Sequence, residues 1–276
     1  MAVMTMDTSS GAQGLAGQKP KPRADFDSDA FIKLLETKGY RVAWSRGALC
    51  PCAPVNEQTE QPDPNCSMCD GRGWFYFAPA LATTDELLVG DLDDVQLRVV
   101  NDNAAVVRAI MTGMTSKKIP YDPIGARVEG MVNATFRGVN KVGYHDRITN
   151  LDSLIVYQEI LDAKDPAETL VLAPRYPVVR VNLLRTTSTV YTAPTDFTVN
   201  ARGEIVWNSV GAAPAKDARL ALHYLCHPTW LVVEHPHAVR LTQVSRKIKK
   251  PLTPAGDPIE LPIHAVLRYE FMPELE

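Results

Sequence analysis

Short runs of alternating apolar and polar residues recur from about residue 95 to the C-terminus. Alternation at period two is typical of half-buried strands, because successive side chains of a strand point to opposite faces. The clearest runs lie at residues 96–100, 153–160, 179–183, 220–225 and 263–269. Glycine and proline separate many of them, as in antiparallel sheets. The pattern therefore predicts a mainly β protein.

We expect these strands to form two units of different type. In residues 85–165 the strands are short and separated by regularly placed glycines, which favours a small β-barrel. Residues 166–276 open with a proline-bounded linker and include a continuous apolar run at 230–233. We interpret this second unit as a β-sandwich-like domain with an extended proline-rich segment at 251–262.

The N-terminal part of the chain shows a different pattern. Residues 1–24 are poor in large apolar side chains and cannot bury enough surface to offset their ordering entropy, so we expect a flexible arm. Residues 25–84 form a separate unit that begins with a helix. Its apolar positions recur near the helical period, between a capping Asp27 or Ser28 and a terminating Gly39.

Four of the five cysteines lie in that unit as a CxC pair and a CxxC pair, namely Cys50, Cys52, Cys66 and Cys69. Two cysteine pairs supply four soft thiolate ligands, which suit tetrahedral zinc. The glycines Gly71 and Gly73 follow the second pair and allow a tight backbone turn. This spacing indicates a zinc knuckle that holds a loop-rich segment with no core of its own.

Two other interpretations of the four cysteines remain open at this stage. They can form two disulfides, or they can be free thiols or ligands of an iron–sulfur centre. The N-terminus lacks the apolar core of a secretion signal, so we expect a reducing cytoplasm, where a metal is favoured over disulfides. A closed four-thiolate site has no open coordination position, so the expected zinc ion is structural rather than catalytic.

Composition narrows the function classes further. The chain is 45% hydrophobic and 22% charged with a net charge of −3, so there is no global attraction to nucleic acid or to an anionic membrane. No apolar run approaches the ~20 residues of a transmembrane helix, and we expect no membrane partner. The sequence contains no P-loop, GxSxG, HExxH or strand-linked GxGxxG motif, so we do not expect an enzyme.

Several histidines invite a catalytic or metal-binding interpretation. His145 and Asp146 are adjacent, but no nucleophile lies at a recognised spacing from them, and the polarity of a turn explains them better. Four histidines lie close in sequence to the fifth cysteine, Cys226, namely His223, His227, His235 and His237. Strand alternation places His223 and His227 on the face opposite Cys226, and we expect His235 and His237 in a loop, which argues against a second metal site.

A basic stretch precedes Pro251 and contains Arg246, Lys247, Lys249 and Lys250. Cations at this density can contact DNA phosphates or the acidic surface of a partner protein. A solvated loop explains the stretch equally well.

Two parts of the sequence resemble structural proteins of tailed bacteriophages. Between residues 191 and 224, an aromatic residue, an Asp-Phe-Thr-Val sequence, a Gly-Glu-Ile-Val-Trp sequence, a proline loop and a tyrosine follow one another at Tyr191, 196–199, 203–207, Pro214 and Tyr224. That order is similar to a β unit common in these virion proteins. The cysteine stretch from Cys50 to Trp74 also resembles a knuckle of phage virion proteins.

The resemblance implies a neck or collar protein at the head–tail junction. Copies of the chain would form a ring around the DNA channel and would contact the portal or adaptor on one side and tail-side virion proteins on the other. The expected location is the virion, after assembly in the host bacterial cytoplasm. The main alternative is a zinc-stabilised nucleic-acid-binding module that uses the aromatic run 74–77 for stacking and the basic stretch for phosphates.

Overall fold

A computed structural model describes residues 28–52, 62–69, 71–80, 89–100, 103–113, 131–234, 241–243 and 258–270. Within these residues the helices are α1 (Ser28–Lys38) and α2 (Asp94–Val100). The strands are β1 (Tyr40–Leu49), β2 (Trp74–Phe77), β3 (Ala105–Gly113), β4 (Met131–Phe136), β5 (Arg147–Asn150), β6 (Ile155–Asp162), β7 (Val171–Leu172), β8 (Arg180–Arg185), β9 (Val190–Tyr191), β10 (Phe197–Val199), β11 (Ile205–Trp207), β12 (Arg219–Cys226), β13 (Thr229–Glu234), β14 (Leu241–Gln243), β15 (Pro258–Glu260) and β16 (Ile263–Tyr269). The mainly β prediction is confirmed.

The predicted N-terminal helix is present as α1. Its apolar stripe includes Leu35, which is fully buried. The helix ends at the expected glycine, where the Gly39 N–H donates a hydrogen bond to the Leu35 carbonyl oxygen at 2.8 Å. A Cβ on Gly39 would lie 2.4 Å from that oxygen, so the close turn into β1 requires glycine.

A closed six-stranded barrel is the larger of the two β units in the described chain. Its strands follow the order β1-β3-β4-β16-β13-β5, and β5 returns to β1 to close the sheet. Closure occurs because the first half of β1 pairs on both edges, with Val42 opposite Val107 on one side and Asn150 on the other. The barrel core is made by Val42, Trp44, Val107, Ala109, Ala134, Phe136, Val142, Ile148, Trp230, Val232, Ala265 and Leu267.

The second unit is a small β-sandwich inserted in the chain between the barrel strands β5 and β13. One sheet has the order β6-β12-β8-β9 and the other has the order β10-β11-β7. Their facing sides bury a core that includes Leu184, Phe197, Trp207, Leu220, Leu222 and Tyr224. The predicted hairpin around Gly203 is present as β10 and β11.

The strand pairings group the residues differently from the predicted division at residue 165. Strands β1, β13 and β16 belong to the barrel, whereas β6 belongs to the sandwich. The barrel is therefore discontinuous in sequence, with the sandwich as an insertion. The alternating pattern marks each strand, but it carries no information about which distant strand completes the barrel.

The strand predicted at residues 96–100 is wrong, because these residues belong to α2. A reciprocal capping box begins this helix. The Gln96 N–H donates to Asp93 Oδ1 at 2.8 Å, and the Asp93 N–H donates to Gln96 Oε1 at 3.2 Å. Local capping and the burial of Gln96 and Val100 outweigh the β propensity of the valines.

Several predicted features lie outside the described residues. These are the arm at 1–24, the histidines His235 and His237, and the basic stretch with Arg246, Lys247, Lys249 and Lys250. Part of the proline-rich segment is described, and β15 pairs there with β14 in an antiparallel ribbon. None of the described helices has both the length and the apolar character needed to cross a membrane.

Candidate metal centre

The four clustered cysteines lie in the connection between the two strands of the β1–β2 hairpin, at its loop end. The last pair of this ladder joins Leu49 to Trp74, so each strand runs directly into one cysteine turn. The Cys50 N–H continues the pairing by donating to the Gly73 carbonyl oxygen at 2.7 Å. The hairpin therefore brings the CxC and CxxC pairs together, although 13 residues separate them in sequence between Cys52 and Cys66.

The sulfur atoms form a compact cluster. All four Sγ atoms lie within 4.8 Å of one another, with 3.7 Å between Cys50 and Cys66 and 3.4 Å between Cys52 and Cys69. A tetrahedral ion with metal–sulfur bonds of about 2.3 Å requires sulfur–sulfur distances of about 3.8 Å. All four residues are free cysteines, and no disulfide joins them. The arrangement fits one metal ion bound by four thiolates.

Backbone N–H groups around the second cysteine pair point at sulfur. The Gly73 N–H donates to Cys69 Sγ at 3.3 Å. Hydrogen bonds from the backbone of Met68 and Cys69 lower the pKa of Cys66 to about 7, because they stabilise its thiolate. The turn is therefore built to hold negative sulfur, as a metal ligand requires.

The pKa of the Cys52 thiol is shifted in the opposite direction. Burial, followed by hydrogen bonds to the neighbouring thiols, raises the pKa of Cys52 to about 12. Four thiols this close cannot all lose their protons without a cation to balance the charge. Metal binding must therefore release protons, and the affinity for the ion falls as the pH is lowered.

The glycines after the CxxC pair are required by the backbone of the turn. Both Gly71 and Gly73 have φ at +74°, a conformation that residues with a side chain rarely adopt. A Cβ on Gly71 would also lie 3.0 Å from Pro64 Cα. The prediction that these glycines allow a tight fold around the cysteines agrees with this geometry.

Next to the cysteine cluster, the β1–β2 hairpin packs against the turn that precedes β5. The Trp74 indole stacks on the His145 imidazole, with 4.1 Å between ring centroids and an interplanar angle of 5°. The buried Asp146 carboxylate accepts hydrogen bonds from Trp44 Nε1 at 2.7 Å, the Gly143 N–H at 2.7 Å and the Gly47 N–H at 3.0 Å. These contacts agree with the interpretation of His145 and Asp146 as structural turn residues.

Two side chains of the aromatic run of β2, Trp74 and Tyr76, pack against other residues of the protein. One face of Trp74 is covered by His145, and the Arg147 guanidinium lies 3.8 Å from the Tyr76 ring centroid. A single-strand binding surface needs open aromatic faces on which bases can stack. The described structure therefore gives Trp74 and Tyr76 packing contacts, whereas Phe77 at the end of the run is 39% exposed.

The remaining described histidines do not gather around Cys226. Cys226 is fully buried in the sandwich core, where burial raises its pKa to about 12. His223 lies on the opposite face of β12, with Nδ1 3.4 Å from Asn182 Nδ2. The predicted placement of His223 opposite Cys226 is confirmed. His227 lies beyond the end of the strand, where its ring contacts backbone carbonyls of the barrel.

Comparison with known proteins does not assign this chain to a family. A scan against models of protein families finds no match for this chain, and a search of curated proteins finds no significant relative.

Proposed function

We propose that the chain is a structural virion protein that forms a ring at the head–tail junction, the neck or collar, of a tailed bacteriophage. In this proposal the four cysteines hold a structural zinc ion, and copies of the chain contact one another around the DNA channel. Portal or adaptor proteins and tail-side proteins are the other partners. The sequence resemblance supports the location, and the outer face of the sandwich supports the assembly.

The observation that carries the proposal is an apolar outer surface on the four-stranded sheet of the sandwich. Val156 is 55% exposed and Ile160 is 62% exposed, both on β6. Leu183 on β8 and Val190 on β9 are 40% and 55% exposed. We call these four residues the outer apolar face.

Strand register shows that this surface is a true second face and not a frayed edge. Ile160 pairs with Ala221 of β12, Ala221 pairs with Arg185 of β8, and Arg185 pairs with Val190 of β9. Directly paired residues point to the same side of a sheet, so this row crosses all four strands. Residues at alternate positions of the same strands fill the core. On this second face the apolar residues lie between polar ones, which include Arg185 and the Arg219–Asp162 ion pair. Exposed apolar side chains on the outer side of a sheet with a polar surround are typical of a surface that binds a partner.

The cysteine cluster fits the same function. Zinc bound by four thiolates has no position for substrate, and it stabilises a segment that has little apolar core. The exposed side chains Leu49 and Met68 lie beside the cluster. A metal-stiffened hairpin end with apolar side chains suits contact with a neighbouring subunit.

We expect Ile160→Glu to prevent ring formation while the monomer remains folded. A carboxylate in the outer apolar face would be buried without a partner in the ring, which costs several kcal/mol per interface. Native mass spectrometry and negative-stain imaging of the purified protein measure the result. The expected outcome is closed rings for the unchanged protein and monomers for the variant.

Thr198→Glu is the matched control, because Thr198 is exposed on β10 of the opposite sheet. It introduces the same charge away from the outer apolar face and should leave the rings intact. If the unchanged protein is a monomer at micromolar concentration, or if both variants assemble equally, the assembly proposal fails. Immunolabelling of phage particles then tests the location, with the head–tail junction as the expected position of the label.

A further inference from the structure

A cavity of about 240 Å³ lies where the barrel, α2 and the sandwich meet. Its walls carry four arginines that are far apart in sequence, namely Arg98, Arg147, Arg175 and Arg202. Among the described residues that line the cavity, Glu270 is the one carboxylate. The cavity is therefore strongly cationic, although the whole chain has a net charge of −3.

Two of the arginines lie at the mouth of the cavity. Arg98 and Arg202 also line an adjoining surface groove, together with Asp94, Leu97 and Ala201. Within the described part of the chain, neither guanidinium group forms an ion pair. A pair of uncommitted guanidinium groups across an opening is suited to bidentate contact with an oxyanion.

The inner wall is organised around Glu270 and Arg147. Glu270 Oε1 accepts a hydrogen bond from Arg147 Nη2 at 2.5 Å, and the Arg147 guanidinium also covers the Tyr76 ring. Two further atoms of the pair, Arg147 Nε and Glu270 Oε2, are buried and have no hydrogen-bond partner among the described residues. Buried polar groups normally find a partner, so these atoms indicate an additional donor and acceptor in the cavity.

His227 provides a third atom of this kind. The residue is only 6% exposed and lines the same cavity. Its Nδ1 lies 2.9 Å from the Ser153 carbonyl oxygen and 3.2 Å from the Asn150 carbonyl oxygen, so Nδ1 carries the hydrogen and donates it. Burial lowers the pKa of His227, which favours the neutral ring. Its Nε2, which has no partner in the described part of the chain, is therefore a hydrogen-bond acceptor.

We propose that this cavity binds the phosphate group of a small hydroxyl-bearing molecule. Arg98 and Arg202 bind the phosphate oxygens, and Arg175 adds positive charge at the same wall. Hydroxyl groups of the ligand donate to Glu270 Oε2 and His227 Nε2. The cavity volume of about 240 Å³ is below the range of about 300 to 1,000 Å³ that is typical of sites for drug-sized ligands, so the ligand is small, of the size of a sugar phosphate. Ligand binding would join the barrel, α2 and the sandwich.

Isothermal titration calorimetry on the full chain tests the proposal, with inorganic phosphate and ribose 5-phosphate as probes at constant ionic strength. We expect saturable binding at one site per chain. Ribose 5-phosphate should bind more tightly, because its hydroxyls supply donors to the inner wall. Arg98→Gln and Arg202→Gln should each weaken binding by about tenfold or more, the usual effect of losing a charge-assisted hydrogen bond.

Arg219→Gln is the control. Arg219 is exposed on β12 and pairs at 4.0 Å with Asp162, away from the cavity, so its loss removes one positive charge without touching the cavity. Arg202 is also exposed, so neither Arg202→Gln nor Arg219→Gln should change the melting temperature. Equal affinity for the two probes would assign the site to free phosphate. Absence of saturable heat with both probes, or an equal loss in Arg219→Gln, would overturn the proposal. Neither result bears on ring formation.

Discussion

Replacing Cys69 by serine should reduce the bound metal from about one ion per chain to nearly none. Cys69 is buried, its sulfur lies within the four-thiolate cluster, and it accepts the Gly73 N–H. A serine hydroxyl stays protonated at neutral pH and is a poor ligand for a soft tetrahedral site. Metal analysis by plasma mass spectrometry of protein purified under reducing conditions measures the change.

The same variant should lower the melting temperature by as much as a chelator lowers that of the unchanged protein. In zinc-finger peptides, binding of structural zinc contributes about 10–16 kcal/mol. In this protein the loss of structure that follows loss of the ion is confined to the end of the β1–β2 hairpin, because the barrel core is formed by other residues.

Cys226→Ala is the matched control for the Cys69 variant. Cys226 is a buried free cysteine in the sandwich, outside the four-thiolate cluster. This variant should keep the full metal content even if it loses some stability through the small cavity that it creates. A Cys69→Ser protein that retains its ion, or a Cys226→Ala protein that loses it, would contradict the assignment of ligands.

Replacing Asp146 by alanine should destabilise the protein by about 3–5 kcal/mol. The Asp146 carboxylate is almost fully buried and accepts hydrogen bonds from Trp44 Nε1 and from the N–H groups of Gly143 and Gly47. Alanine leaves all three donors without their acceptor in the barrel interior. Urea unfolding followed by tryptophan fluorescence measures the change, because Trp44 reports directly on this site.

Asp146→Asn separates the loss of hydrogen bonds from the loss of packing. The asparagine oxygen can replace Oδ2 and accept from Trp44 and Gly143, whereas its NH₂ group faces the Gly47 N–H. We therefore expect an intermediate loss of stability. An alanine variant within about 1 kcal/mol of the unchanged protein would show that Asp146 does not hold the turn to β1.

The features that sequence reasoning found are those encoded by neighbouring residues. The cysteine pairs have a short internal spacing, so their capacity to hold a metal ion is visible before the fold is known. The end of α1 at Gly39 depends on one glycine, and strands such as β12 and β16 carry their own alternation. Local chemistry decides each of these features, so the sequence is sufficient to predict them.

The features that were missed depend on long-range pairing. Closure of the barrel joins β1 to β5, with about 100 residues between the paired positions, for example Val42 and Asn150. No pattern within either strand identifies the other. The observed boundary of the sandwich differs from the predicted division at residue 165 for the same reason.

Two other omissions have different causes. Residues 96–100 alternate like a strand, but the Asp93–Gln96 capping box was a local signal for a helix. The arginines of the cavity come from positions between 98 and 202, so no motif connects them. Only the folded chain brings those charges together.

X-ray absorption at the zinc edge of the reduced, metal-loaded protein tests the central claim most directly, which is that four cysteines close around a structural ion. The account predicts a first shell of four sulfur atoms at about 2.3 Å and no oxygen or nitrogen ligand. A shell in which an oxygen or nitrogen atom replaces sulfur would show that the four cysteines do not close the site. A protein without bound zinc would contradict the account outright.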